Sequence, residues 1–280
     1  MVINKREFYI PSKSGLADIY ARCFLPESNS PKAIFQIAHG MAEHGERYNE
    51  FAEFLCSKGF AVLVDDHIGH GKSVKSDDDL GYFGEESGWD AFVEDERALT
   101  ELIYKEYPDI PVIFFGHSMG SFIVREYIRR YGSDERIKGA IICGTSGKNP
   151  AAAIAIKLAE MIAKAKGSRY RSGFINKIAF GPYNNKIKNP RTPFDWLTRD
   201  NKIVDEYIAD KHCGFLFTAK GYKDLFTILN NVSGKDWFNG VDNNLPLFII
   251  AGEEDPVGAY GKGIRQVYNC LLYTSPSPRD

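Results

Sequence analysis

Between residues 33 and 143 the chain alternates short apolar runs with longer amphipathic segments. That rhythm restricts the possible fold more than any single motif does. The runs at 33–38, 60–64, 111–115 and 137–143 are too short for buried helices and too continuously apolar for a strand with one wet face. They read as strands buried on both faces. The segments at 47–58, 89–107 and 118–131 read as helices. Tyr48, Phe51, Ala52 and Leu55 recur at helical spacing in the first, with Gly59 as its stop, and Phe92, Val93, Leu99, Leu102 and Ile103 line the second. Strands alternating with helices predict an α/β fold with a mostly parallel, doubly wound sheet. Further β-like runs at 7–10 and 19–25 open the chain, and 245–251 returns to the sheet.

The composition suits a globular protein: 280 residues, 44% hydrophobic, 26% charged, with a formal net charge of −2. No basic stripe marks a nucleic-acid partner. The first residues lack the apolar stretch of a signal peptide, and no apolar run approaches a membrane span. The five cysteines are scattered without a C-x-x-C pair and read as buried thiols of a reducing compartment, so the expected location is the cytoplasm. No metal or cofactor motif is present, and none of either is expected.

Between about Gly144 and Asn239 the βα rhythm stops. One amphipathic helix is evident there, with Ile154, Leu158, Met161, Ile162 and Ala165 on one side and Lys157, Glu160 and Lys164 opposite. Aromatic residues follow, namely Phe174, Phe180, Tyr183, Phe194, Trp196, Phe215, Phe217, Tyr222 and Phe226. The expected organisation is a core of residues 1–144 and 240–269 with a helical cap inserted at 145–239. Most of these aromatics should be core, and a few should line an apolar pocket. The helix could also touch a bilayer transiently, although covering the site explains its apolar side equally well. Oligomeric state is not legible.

In doubly wound sheets the sites lie at the carboxyl ends of the strands. Gly116-His117-Ser118-Met119-Gly120 directly follows the run at 111–115, where a strand must stop and a helix must start. A serine on such a turn is pushed out of the sheet, and the flanking glycines permit close helix–strand approach. The plain alternative is a Gly-rich turn. As a nucleophile, Ser118 would need donors for an oxyanion; the backbone N–H groups of Met119 and Met41 are the candidates. His39 lacks partners at ligand spacing and makes a poor metal ligand. Asp255, in a turn after the last apolar run, is the candidate acid to orient a histidine, ahead of Glu253 and Glu254. The structural alternative is a solvated acidic turn.

In this arrangement the base would follow the acid, yet all six histidines precede Asp255. His117 is expected to point away from the nucleophile. His67 and His70 read as a structural turn, and His212 in the cap is the only conceivable surrogate.

His39-Gly40-Met41-Ala42-Glu43-His44, Asp66-His67-Ile68-Gly69-His70-Gly71-Lys72-Ser73, Gly116-His117-Ser118-Met119-Gly120-Ser121 and Asp255-Pro256-Val257-Gly258 resemble the α/β-hydrolase superfamily, and within it the monoacylglycerol lipase and lysophospholipase branch. The resemblance extends over nearly all of residues 1–269. It implies a Ser-Asp-His triad, a helical cap forming an acyl tunnel, and hydrolysis of carboxylic esters, with Ser118 as nucleophile, Asp255 as acid and Met41 and Met119 as oxyanion donors. The family's histidine, last strand and last helix have no counterpart here. Residues 270–280 instead resemble the translation of a sequencing-library adapter, and are set apart as a non-native tail rather than a disordered Ser/Pro one. The expectation is therefore a chain whose native sequence continues beyond Asn269. Two alternatives stand beside the ester hydrolase: a noncatalytic fragment that at most binds apolar ligands, and a serine aminopeptidase of the same fold. The aminopeptidase would need an acidic cluster in the cap, which Glu160, Asp195, Asp200, Asp205 and Glu206 do not obviously form.

Overall fold

The computed structural model describes residues 4–27, 30–234 and 237–272. The chain opens with β1 (Asn4–Pro11) and β2 (Asp18–Leu25), then β3 (Ile34–Ala38), α1 (Asn49–Ser57), β4 (Ala61–Asp65) and α2 (Gly88–Glu106). β5 (Val112–His117), α3 (Met119–Tyr131) and β6 (Ile137–Cys143) complete the regular part. α4 (Ala152–Lys166), α5 (Gly173–Phe180), α6 (Asn201–Ala209) and α7 (Ala219–Asn231) come before the chain returns as β7 (Leu247–Ile250) and α8 (Lys262–Leu272). Of the tail set apart at 270–280, residues 273–280 lie outside the described residues, and 270–272 continue α8. Among the described residues no helix is long and apolar enough to cross a membrane.

The seven strands form one sheet in the order β1-β2-β4-β3-β5-β6-β7. β1 and β2 are antiparallel to each other, and β2 to β4; every pairing from β4 to β7 is parallel. β3 and β4 are buried at every residue because helices cover both faces, which is why their sequences read as unbroken apolar runs. From β3 the chain steps to β4 on one side and then to β5 on the other. That reversal opens a crevice beyond the carboxyl ends of β3 and β5. The register pairs Ala38 with Gly116, so the segments leaving the two strands emerge side by side.

The two edges differ. β1 carries Lys5, Arg6 and Glu7, charges that discourage edge-to-edge pairing. β7 exposes Phe248 (57%) and Ile250 (45%) instead. Phe248 pairs in register with Ile141, a partly buried member of the smaller core cluster around Phe35, Ile37 and Val62. Pro246, which has no N–H, keeps β7 shorter than the apolar run at 245–251. The purified chain is therefore expected to self-associate with rising concentration, and Phe248→Lys to suppress that association. Sedimentation velocity checks this, and a wild-type monomer at every concentration would refute it.

α4 corrects one expectation. Its bulky side is not its buried side: Ile154 (71%) and Met161 (60%) are exposed, whereas Ala152 and Ala159 are buried. α4 lies along α7, and small residues at helical spacing let the two helices approach closely. Of the larger apolar side chains, Leu158 lines the cavity described below and Ile162 packs against the core, so the apolar side is only partly covered.

Candidate active site

Ser118 occupies the turn between β5 and α3 at φ 51° and ψ −116°. A non-glycine residue there costs about 1–3 kcal/mol, and its surroundings hold it in place. Its N–H donates to Cys143 O at 2.9 Å, and its carbonyl accepts from Ser121 N–H at 2.9 Å. A Cβ on Gly116 would stand 2.5 Å from Gly120 O, and one on Gly120 2.0 Å from Ala38 O. Both positions must be glycine for the helix to start so close to β3.

The loop leaving β3 runs beside this turn. A Cβ on Gly40 would lie 3.3 Å from Ser118 Cβ. Ala42 adopts φ 50°, and its carbonyl accepts from Tyr207 Oη at 2.8 Å and Gly214 N–H at 2.9 Å, so the segment between β6 and β7 holds the loop in shape. The Glu43 carboxylate folds back to accept from Gly40 N–H (2.6 Å) and Tyr48 Oη (2.9 Å), and its Oε1 lies 3.2 Å from His117 Nδ1. Burial pushes the Glu43 carboxyl up, but the hydrogen bond and charge of His117, with Arg47 and the Gly40 N–H, outweigh it and bring it down to about 2. Burial pulls His117 down, and Glu43 more than compensates, so its ring is raised.

The His117 ring is turned toward Glu43 and makes no hydrogen bond to Ser118. It lines the same cavity as Ser118, because the elbow's twist turns the last side chain of β5 toward Glu43. Glu43 itself was not singled out by sequence reasoning. Its signal was an acid in an otherwise apolar loop, three residues after a glycine whose amide it can reach.

Asp255 sits after β7, with Oδ1 accepting from Val257 N–H at 2.8 Å. Burial raises its carboxyl, partly countered by that amide and by the charge of His117. Asp255 Oδ2 and His117 Cδ2 lie 3.5 and 3.6 Å from the point where a Cβ on Gly144 would stand, so acid and ring face each other across a glycine. Among the described residues no histidine hydrogen-bonds to Asp255. His39, His67 and His70 are buried, and His44 Nε2 is 2.8 Å from Asp210 Oδ2. His212 stands 3.8 Å from Asp77 and does not line the cavity.

Ser118, Asp255, Met41 and Met119 all line one cavity of about 1930 Å³ that extends under α4–α7. Phe180, Tyr183, Phe194, Trp196, Phe215 and Phe226 face it. Of the other aromatics, Phe217 and Tyr222 are fully buried and Phe174 is exposed. Two groups bring metal-type ligands together, His44 with Asp210 and Cys213, and Asp65 with His67 and Glu96. In each the histidine already faces a carboxylate at hydrogen-bonding distance. Among the cysteines, Cys143 and Cys270 are only half-buried.

A parallel sheet reversing at β3, a strained serine at the end of β5 and helices between β6 and β7 define an α/β-hydrolase. Residues 29–274 match the model of the serine aminopeptidase S33 family, and the chain belongs to that family. A thermostable carboxyl esterase from Bacillus coagulans superposes with a TM-score of 0.90 at 31% identity, over 96% of this chain and 86% of that one. The mouse monoglyceride lipase is 37% identical over 108 residues, 38% of this chain and 32% of the relative. The monoacylglycerol lipase of Mycolicibacterium smegmatis is 32% identical over 183 residues, 64% of this chain and 56% of its own. The chain thus spans about a third of the mouse relative's length and just over half of the mycobacterial one's. The fold is also that of a monoglyceride lipase from Saccharomyces cerevisiae, at a TM-score of 0.70 and 19% identity.

Proposed function

We propose that this chain carries the acyl-transfer site of a serine carboxylic-ester hydrolase acting on a monoacylglycerol, a lysophospholipid or a similar acyl ester. The observation that carries the reading is Ser118 on its strained turn, lining an aromatic-rich cavity. Ser118 Oγ attacks the ester carbonyl, its proton passes to a base, and the Met41 and Met119 N–H groups receive the oxyanion. The alcohol leaves, and water then resolves the acyl-enzyme. Asp255 orients the base and stabilises its charged form. The cavity volume exceeds the roughly 300–1,000 Å³ of common ligand sites, which suits a long acyl chain.

The base is the open question: among the described residues no histidine hydrogen-bonds to Asp255, and His44, His67 and His117 face other carboxylates. This favours, as a second reading, a chain that binds apolar ligands without turning them over. The aminopeptidase reading draws on the family's description, but the acids of the inserted segment are engaged elsewhere. Glu160 pairs with Lys164, Asp205 with Arg191, and Asp195 accepts from the 191–192 amides.

The test is the reaction of the 280-residue chain with a fluorophosphonate, with and without millimolar imidazole. The Ser118 Oγ–P bond forms, fluoride leaves, and imidazole takes the proton. A slow adduct at Ser118, accelerated by imidazole and absent in Ser118→Ala, is the expected result. No adduct at Ser118 under either condition overturns the nucleophile assignment. Faster cleavage of an N-terminal peptide amide than of an acyl ester would favour the peptidase.

A further inference from the structure

Behind the candidate site lies a charged cluster that never reaches the cavity. Asp65 ends β4, His67 follows two residues later, and Glu96 projects from α2; their exposures are 2%, 1% and 1%. His67 Nδ1 lies 3.0 Å from Asp65 Oδ2 and 3.7 Å from Glu96 Oε1. Glu96 Oε2 accepts from Gln36 Nε2, whose amide oxygen accepts from the Thr100 hydroxyl at 2.8 Å. On the other side of the ring, His67 Nε2 lies 3.2 Å from the His39 carbonyl oxygen.

Both nitrogens of His67 therefore face acceptors only, and both must carry a proton. The neighbouring rings are different. His39 Nε2 accepts the backbone N–H of His67 at 3.0 Å, and His39 Nδ1 lies 2.8 Å from Gly40 O. A ring that accepts at one nitrogen and donates at the other is neutral. The two rings stack with centroids 3.9 Å apart. Asp65, Glu96 and Asp95 are the acids that reach His67, and His39 and His70 are the rings that oppose its charge.

The His39–Gly40 peptide thus lies between opposite charges. Its carbonyl accepts a hydrogen bond from the His67 imidazolium, and its N–H donates to the Glu43 carboxylate at 2.6 Å. Such a clamp has a purpose here. Gly40 has no Cβ to restrain its torsions, and a turn of this plane would swing the next amide, that of Met41. Burial and the Asp65 charge push the Glu96 carboxyl well up, so Asp65, at 3.0 Å, is the counter-charge of the ring. We infer that His67, kept as an imidazolium by Asp65, is a positioning residue that fixes the His39–Gly40 peptide plane and so aims the Met41 N–H at the oxyanion. The second half of this inference rests on the acyl-transfer reading above.

Burial alone would lower His67, but the charge and hydrogen bond of Asp65, with Glu96, raise it to about 9. The clamp's contribution is then full below about 6.5, the ordinary histidine value, and is lost as pH rises through about 9. Ring ¹⁵N spectra of the histidine-labelled 280-residue chain test the first half. One ring should show two N–H protons at pH 7 and titrate near 9, and His67→Gln should remove it. In that variant the Gly40 and Met41 amide resonances should move while those of β1 stay. The imidazole-assisted adduct at Ser118 should form about 10²-fold more slowly, the typical loss for one oxyanion donor, with the saturating reagent concentration unchanged. A His67 ring with a single N–H at pH 7, or unmoved Gly40 and Met41 amides, overturns the inference. If His67→Gln does not fold, Asp65→Asn replaces it. It keeps the ring, and should abolish the two-proton signature at pH 8 and move the same amides; their persistence is equally adverse. Absence of any adduct in the wild-type chain would overturn the nucleophile assignment, and with it the catalytic half of this inference; the spectra would still decide the clamp.

Discussion

Given a monoacylglycerol or an acyl p-nitrophenyl ester, the 280-residue chain is expected to release fatty acid about 10⁶-fold more slowly than a complete serine triad, the typical cost of a missing base. The residual rate, about 10³–10⁴ over water, comes from binding and oxyanion donors alone. Asp255 has no histidine in hydrogen-bonding contact among the described residues, His212 lies against Asp77, and His117 is committed to Glu43. Because triad members act as a unit, Ser118→Ala should cost less than about tenfold on this background, far below its usual penalty. Fast turnover that is lost in His117→Ala or in His212→Ala would assign the base to that ring and end this reading.

The second large effect concerns folding. Gly120→Ala is expected to destabilise the chain by about 3 kcal/mol or more, at or above the upper end of ordinary overpacking. Its Cβ would sit 2.0 Å from Ala38 O and 2.6 Å from His39 O, both backbone atoms of the central strand or its exit. Nothing there can move aside as the tip of a flexible side chain could. At about 2–4 °C per kcal/mol for a domain near this size, the melting temperature should fall by roughly 6–12 °C. Gly173→Ala is the control: it opens α5, and nothing lies within 4 Å of its would-be Cβ. Equal melting temperatures for the Gly120 variant and the wild type would refute the packing argument.

Much of this protein was legible residue by residue. The buried strands announced themselves as unbroken apolar runs because both of their faces are covered, and strand β6 is found where its apolar run lies, at Ile137–Cys143. Gly59 ended the first helical pattern one residue beyond Lys58, the observed C-cap. Local chemistry failed where two faces competed. On α4 the pattern of large side chains suggested one buried face, and close packing against α7 chose the alanines instead. The Glu43 partner of His117 was not legible for a similar reason: the direction of the ring depends on an elbow torsion and on a carboxylate arriving from another strand.

The amino-acid sequence was enough to establish the βα alternation and the serine at a strand end, because each is a local property of neighbouring residues. It could not establish that β3 lies beside β5. An apolar run buried on both faces carries no mark of which run it will pair with. The observed order places Ala38 beside Gly116, and only then do the Met41 loop, Ser118 and Glu43 meet. The charged cluster behind them has the same origin. Asp65, His67 and Glu96 are unremarkable apart, and a ring facing acceptors on both nitrogens and one clamped peptide follow once β3, β4 and α2 pack together.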